Sequence, residues 1–396
     1  FGHKGHAFGP NLKADEVIEH KEGVCSCGGD IEFSCDKYQA RRIIDVEIVV
    51  SVTEERAHSG ICKVCGKSFQ SEFSEEFTAP YKYGENMNTL VALLNEYGNV
   101  ADQKTADIIN SICDDKIHMS AGTVANIRES LGKKVKPAVE AIKQEIIKSK
   151  VVGVDETSAR VNGKLGWVSI FATSLYTLFG YMSKRSEHCN EEDGILAYFI
   201  GILMHDHFKP YYKNPAITQA ECNPHVLRYL KAVVEIQTHA WAKEMTEFLL
   251  TVNKEKKKLV TIGVEGLPPG EFEKLKQKYI TILDNGDNEY QNAIAGIANI
   301  KRFNEEKCLL KRLREYADEH LRFMSDFRVP FGNNISEQGA HFIKNKQRVS
   351  GGFRSEAGAK NHMMIASTIA TAIKQKKNVY GTIKSAFQGQ LLFEDP

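Results

Sequence analysis

Apolar and polar positions change their period several times along the chain, and each change marks a new kind of element. Up to about Pro80 the text is rich in β-branched residues, and the alternation in Ile43–Val52 (IIDVEIVVSV) predicts a half-exposed strand. From Gly84 the spacing becomes three-to-four. Asn88–Glu96, Gln103–Ile112 and Thr123–Leu131 read as short helices, Ser120 stands where an N-cap belongs, and Val135–Lys148 makes a further helix. A short helix, a turn and Ser120-Ala-Gly-Thr-Val-Ala-Asn-Ile fit a helix-turn-helix, and they fit a plain helical spacer equally well. Strand signals then return. Val151–Asp155, Leu165–Thr173 and Leu175–Met182 read as an antiparallel meander, and the apolar run Ile195–Met204 leads into His205-Asp206-His207. From about Trp241 the pattern is helical and charged, broken at Gly263–Gly270, and Leu309, Leu310, Leu313, Tyr316, Leu321 and Met324 mark an amphipathic helix. Asp284-Asn-Gly-Asp287 lacks the downstream acid of a calcium loop and reads as a helix-ending turn. After Pro330, Phe331-Gly-Asn-Asn-Ile-Ser-Glu337 opens another helix. The fold class is therefore α/β, with strands and helices in separate blocks.

Composition narrows the class without naming a partner. The 396 residues call for more than one folding unit, and 42% hydrophobic residues exclude a largely disordered chain. No apolar run approaches the roughly 20 residues of a membrane span, and no signal peptide is evident, which predicts a cytoplasmic protein. The chain opens without Met, and an upstream segment is expected. The net charge of +1 conceals a gradient: residues 1–80 carry nine Lys+Arg against fourteen Asp+Glu, whereas residues 338–387 carry nine Lys+Arg against Glu356 alone. A segregated basic tract is the electrostatic footprint of nucleic-acid binding, although a solvated lysine-rich helix face has the same composition.

Nine cysteines, an odd number, fit a reducing compartment better than a disulfide framework. Five of them fall within the first 65 residues. Cys62-Lys-Val-Cys65-Gly66 reads as a zinc knuckle, and Cys25-Ser-Cys27-Gly28 is an imperfect partner with a single intervening residue. Structural Zn²⁺ on Cys25, Cys27, Cys62 and Cys65 is the expectation, with His20, Cys35 or His58 able to replace a poorly placed thiol. A degenerate ribbon with ordinary buried cysteines is the plain alternative.

Two apolar runs end in an acid, at Asp155 and at Asp206. Acids from neighbouring strands repel one another unless a cation lies between them, and hard ions such as Mg²⁺ prefer oxygen donors. Two such ions can clamp an in-line phosphoryl displacement. Glu337, in the first turn of a helix just ahead of the basic tract, is the natural third acid. Simpler roles exist: strand-ending Asp residues form turns, and Glu337 stands three residues after Asn334, where a capping box would use it.

Several collinear phrases then carry a resemblance. Asp155-Glu-Thr, Met204-His-Asp206-His-Phe-Lys-Pro-Tyr211, Cys222-Asn-Pro-His225-Val-Leu-Arg228, Asn333-Asn-Ile-Ser-Glu337 and Lys344-Asn-Lys-Gln-Arg-Val-Ser-Gly-Gly-Phe-Arg-Ser355 occur in the order found in the insertion-sequence-66 family of bacterial transposases. The opening Gly2-His-Lys-Gly-His6 resembles that family's Gly-rich basic phrase. The resemblance implies a DDE transposase with an RNase H-like core, in which Asp155, Asp206 and Glu337 bind Mg²⁺ or Mn²⁺. Cys222-x-x-His225 resembles a Cys/Asp-x-x-His feature of several transposase groups, so that His225 would position DNA or the scissile phosphate, with a packed core histidine as the alternative. Arg228, Lys344, Lys346, Arg348, Arg354 and Ser355 become expected DNA contacts.

The implied organisation is a zinc-ribbon-like module at 1–80, a helical module for DNA binding or dimerisation at 81–149, a core split between 150–240 and 326–396, and a helical insertion at 241–325. Expected partners are double-stranded DNA at transposon ends and target, further copies of the chain, and accessory proteins, in a nucleoid-associated bacterial setting. Two other readings stay open: a transposase-derived DNA-binding protein without catalysis, and an RNase H-like nuclease without strand transfer.

Overall fold

The computed structural model describes residues 13–189, 194–297, 299–390 and 393. The opening Gly2–His6 phrase lies outside them. The chain forms two compact units, residues 1–54 and 55–396. In the smaller unit the described residues contain no helix or strand, and Ile43, Val46, Val49 and Val52 are exposed. The strand predicted over Ile43–Val52 is thus not formed: a period-two pattern needs a neighbouring strand to satisfy its backbone, and none is present among the described residues of that unit.

The larger unit begins with a small hairpin, β1 (Ser59–Ile61) and β2 (Ser68–Gln70), followed by helices α1 (Glu85–Ala92), α2 (Asp102–Ile112), α3 (Ala121–Lys134) and α4 (Lys136–Lys148). A π-helical turn, Leu93–Tyr97, continues α1. Ser120 caps α3, accepting the Thr123 N–H at 3.2 Å. The sheet strands follow: β3 (Val151–Val161), β4 (Lys164–Ala172), β5 (Thr177–Met182), then the short helix α5 (Ile195–Tyr198), β6 (Ile202–His205) and β7 (Thr218–Glu221). Helix α6 (Asn223–Gln237) leads to α7 (Ala240–Thr261), α8 (Pro269–Ile294), α9 (Asn304–Glu315) and α10 (Ala317–Ser325). Three helices close the unit: α11 (Asn334–Ser350), α12 (Glu356–Lys374) and α13 (Val379–Phe387). No helix of the described residues is long and apolar enough to cross a membrane.

The five-stranded sheet has the order β5-β4-β3-β6-β7; β3, β4 and β5 run antiparallel, while β6 and β7 run parallel to β3. This mixed sheet flanked by helices is consistent with an RNase H-like core. Asn162 and Gly163, at φ of 49° and 71°, make the two-residue turn between β3 and β4, the conformation that a tight hairpin requires. That turn carries β3 well past Asp155. The carboxylate expected at a strand end therefore sits mid-strand, five residues into an eleven-residue strand.

One sheet face packs on α11 and α12 through Ala159, Val168, Ile170, Phe179, Ile343, Met363 and Ala366. The other packs on α4, where Ala138, Ile142 and Ile146 at helical spacing meet Val152, Val154 and Phe171. Burying Ile142 and Ile146 contributes about 2–3 kcal/mol each. Helix α12 also covers the edge strand: Ser367 Oγ accepts the Phe179 N–H at 2.9 Å and Thr371 Oγ1 accepts that of Thr177 at 3.1 Å. The helical stretch of α1–α4 belongs to this same unit, tied to its C-terminal helices by Asn361 Nδ2 donating to the Arg128 carbonyl at 2.9 Å.

Between Ala240 and Ser325 the chain is helical, and its core joins Trp241, Met245, Leu249, Leu283, Leu310 and Leu321 to Met204, Ala220 and Cys222 beside the sheet. The single amphipathic helix predicted through Leu309–Met324 is two helices that break at Tyr316. Asp284 and Asp287, read as a helix end, lie inside α8, where Arg314 bridges them at 2.8 and 2.6 Å. The cation on a neighbouring helix offsets two acids that local sequence presents as a turn.

Candidate active site beyond the β3–β6 ladder

The β3–β6 parallel ladder pairs Gly153 with Met204 and ends there. Two residues further along stand Asp155, on β3, and Asp206, just past the end of β6, so the register itself brings these acids side by side. Glu337 arrives from α11. That helix is docked by Asn333, which is 3% exposed and donates from Nδ2 to the Val154 carbonyl at 2.7 Å. Gly153 permits this approach, because a Cβ there would lie 2.4 Å from Asn333 Oδ1. The Asn333 N–H donates to Cys222 Sγ at 3.2 Å, which fixes the start of α11 against the end of β7. The helix begins with no side-chain cap, so the capping-box role considered for Glu337 is not realised.

The electrostatics show the convergence. Burial first, then the Asp206 and Glu337 charges, push the Asp155 carboxyl up to about 6, against the Glu156 N–H, which donates to Oδ1 at 2.8 Å, and a weaker pull from Arg185. Among the described residues no ion pair reaches Asp155 or Asp206. The donor set is all hard oxygen, half-buried and without a paired cation at Asp155 or Asp206, chemistry that fits a divalent cation. The three acids do not make a compact cage, however. Among the described residues, the only group of three His, Cys, Asp or Glu donors lying within 4.8 Å of one another is Cys222, His225 and Glu337. His225, in the first turn of α6, places Nδ1 3.8 Å from Glu337 Oε1 and 3.3 Å from Cys222 Sγ. His225 is half-buried, and burial pushes its imidazole pKa down.

A residue that spacing did not single out lies next to Asp155. Alternation puts Glu156 on the opposite sheet face, where Tyr211 Oη donates to its carboxylate, Arg185 Nη2 lies at 3.3 Å and His188 Nε2 at 3.6 Å. Burial and the Asp206 charge push Glu156 up to about 8. Arg185 in turn stacks on Trp167 and Phe208, with its guanidinium 5.1 and 4.5 Å from the ring centroids. The only sequence signal for Glu156 was its place in Asp155-Glu-Thr.

The expected DNA contacts divide. Arg228, Arg348, Arg354 and Ser355 are exposed, and Ser355 caps α12 by accepting the Gly358 N–H at 3.0 Å. Lys344 is half-buried and donates to Ser158 O and Oγ, both at 2.9 Å. Lys346 is 4% exposed, with its ammonium donating to the Asn95 carbonyl at 2.7 Å. Its charge is held inside the fold beside Glu96, which corrects its expected place on a DNA-facing surface.

The cysteine pairs lie in different units, Cys25 and Cys27 in 1–54 and Cys62 and Cys65 in 55–396. Cys62 and Cys65 occupy the turn between β1 and β2, with the Gly66 N–H donating to the Cys62 carbonyl at 2.9 Å. Backbone N–H groups of Cys65 and Val64 hold the Cys62 thiol pKa below its ordinary value. All described cysteines are free.

No similar curated protein was found. The family model described as Transposase IS66 family matches residues 107–361, a span that contains Asp155, Asp206, Cys222, His225 and Glu337 together with the whole helical insertion. With well over half of its length matched, the chain belongs to the IS66 family of transposases.

Proposed function

We propose that the chain is a DDE transposase that cleaves transposon-end DNA and joins it to target DNA, with Asp155, Asp206 and Glu337 holding two Mg²⁺ or Mn²⁺ ions. The observation that carries this reading is that the β3–β6 register sets Asp155 beside Asp206 inside the family-matched segment, where burial first and then the Asp206 and Glu337 charges raise Asp155. Bound divalent ions would supply Lewis-acid activation of the attacking oxygen and neutralise charge at the phosphate. The protein's own part is positional. Asp155 rides on a rigid strand, Asp206 directly follows one, and Glu337 rides on a helix pinned by Asn333, which supplies the in-line orientation such a displacement needs. In the first step a water oxygen attacks the end phosphodiester and the departing 3′-oxygen takes up a proton. In the second, that 3′-hydroxyl attacks a target phosphodiester, loses its proton and displaces a target 3′-oxygen.

Arg228, Arg348 and Arg354 are the proposed phosphate contacts, and Arg185, stacked beside Glu156, is a further cation near the acids. Ser355 remains in the proposed DNA-facing surface through its position, and Lys344 serves it by holding α11 to β3. His225 is proposed to steady Glu337. Structural zinc at the Cys62–Cys65 pair is part of the same reading, supported by the knuckle-like turn there. So are a DNA-binding or dimerisation role for residues 81–149, assembly of several copies on DNA, and element-encoded accessory proteins.

The test is cleavage and joining of labelled transposon-end duplexes with Mg²⁺. Alanine at Asp155, Asp206 or Glu337 should remove both products while DNA binding persists. Full activity of Asp155→Ala would overturn the assignment. Cleavage without joined product would leave a nuclease, and binding alone would leave a DNA-binding protein.

A further inference from the structure

We propose that Cys222, His225 and Glu337 form a second metal site, selective for zinc-class ions, that draws Glu337 away from the acid group. The inhibitory consequence rests on the reading of Glu337 as the third acid; metal binding itself does not.

The geometry is nearly complete without an ion. Cys222 Sγ and His225 Nδ1 are 3.3 Å apart, His225 Nδ1 and Glu337 Oε1 3.8 Å, and Cys222 Sγ and Glu337 Oε1 3.9 Å. A tetrahedral zinc with ordinary bond lengths sets its S, N and O ligands about 3.4–3.6 Å apart. Each edge is therefore within about half an ångström of what zinc would draw together. The three donors come from elements that already hold one another. Cys222 precedes α6, His225 lies in that helix's first turn, and Asn333 at the start of α11 donates its N–H to the Cys222 sulfur.

The donor chemistry decides which ion. One thiolate, one imidazole and one carboxylate suit zinc far better than Mg²⁺, which takes oxygen donors and keeps its waters. The Glu337 and His225 side chains remain 35% and 23% exposed, so a fourth ligand can come from solvent. Cys222 is fully buried against the insertion core, which holds its sulfur in place. Binding is balanced by loss of the thiol proton to solvent as the metal–sulfur bond forms. A Glu337 carboxylate drawn to this ion turns from Asp155 and Asp206, and Mg²⁺-dependent chemistry should slow.

Cadmium-113 NMR of the full chain tests the site without any variant. The expected spectrum has a resonance typical of a single thiolate ligand, apart from any thiolate-rich resonance of the N-terminal cysteines. Titration with Co²⁺ should then show one more bound equivalent in wild type than in His225→Gln or Cys222→Ser, each confirmed folded by its thermal transition. Zinc should suppress Mg²⁺-dependent cleavage at concentrations at least about tenfold lower in wild type than in His225→Gln assayed against its own zinc-free rate. Absence of the single-thiolate cadmium resonance, or equal Co²⁺ stoichiometry in folded variants, would overturn the proposal. Neither result depends on whether the chain cleaves DNA, and failure of cleavage in wild type would leave the cadmium result standing.

Discussion

Asp206 directly follows β6 and Glu221 ends its parallel neighbour β7, yet the protein treats them in opposite ways. Glu221 is fully buried: His207 Nδ1 and Tyr212 Oη both donate to Oε1, and Arg312 from the helical insertion reaches Oε2 at 2.5 Å. Burial alone would raise its pKa, but His207, His320 and Arg312 outweigh that and hold it well below the usual carboxylate range. A second buried acid, Glu96, follows the same rule, held at about 2 against burial by His362, Lys346 and Arg128. On the central strand, Asp155 beside Asp206 and Glu337 is pushed the other way. Compensated acids are structural. An acid held with like charges and little opposing cation marks a place where the fold leaves charge for something else to neutralise.

The contrast can be broken at either end. The largest effect should come from alanine at Asp155, Asp206 or Glu337, which should lower strand transfer by at least about a thousandfold in a joining assay while leaving binding of the end duplex intact. At the compensated end, Arg312→Ala should cost about 3–5 kcal/mol in denaturant unfolding, because it strands a buried carboxylate. Full stability of Arg312→Ala would mean that the two acids are not so different after all.

A smaller and opposite sign belongs to Asp155. Its raised pKa means that the folded state pays for ionisation: the destabilisation is absent below about pH 4 and grows as pH rises through about 6. Metal-free Asp155→Asn should therefore be more stable than wild type at pH 7–8 by about 1–3 kcal/mol, with the difference vanishing near pH 4. Glu96 has the reverse slope. Its pKa is depressed, so its stabilisation is present above about 4.5 and lost as pH falls towards about 2. Acid unfolding curves of Asp155→Asn and Glu96→Gln should bend in opposite directions. The smallest effect sharpens the same division among cations. Arg348→Ala or Arg354→Ala should lower the salt slope of DNA binding by about one, whereas Lys346→Ala should act on stability.

Much of this site was legible in the linear text, because carboxylates, Cys-x-x-His and the basic tract keep their identity whatever surrounds them. Asp155, Asp206 and Glu337 were readable as acids that could share a cation. The distinction between bare and compensated charge was not. Lys346 counts as +1 in any tally, and nothing near it in sequence announces Asn95 and Glu96, some 250 residues earlier, as its surroundings. Asp155 looked like a strand end because the apolar run stops there, while Asn162-Gly163, the turn that extends the strand, lies seven residues on. Ile43–Val52 failed for the converse reason: alternation is a local property, and a strand needs a partner. The short β7 carries only Thr218–Glu221, too few residues for its period to stand out, yet it delivers both Glu221 and the approach to Cys222.

The proposed role of the under-neutralised acids beyond the β3–β6 ladder is that of a metal-dependent strand-transfer centre. The most direct measurement incubates the full chain and its Asp155→Ala form with pre-cleaved transposon-end duplexes, target plasmid and Mg²⁺, and scores joined DNA. Joined product from wild type, lost without Mg²⁺ and absent from Asp155→Ala under conditions where both bind the duplex, is the predicted result. Equal joining by Asp155→Ala, or no joining by a wild-type protein that binds the same ends, would contradict it.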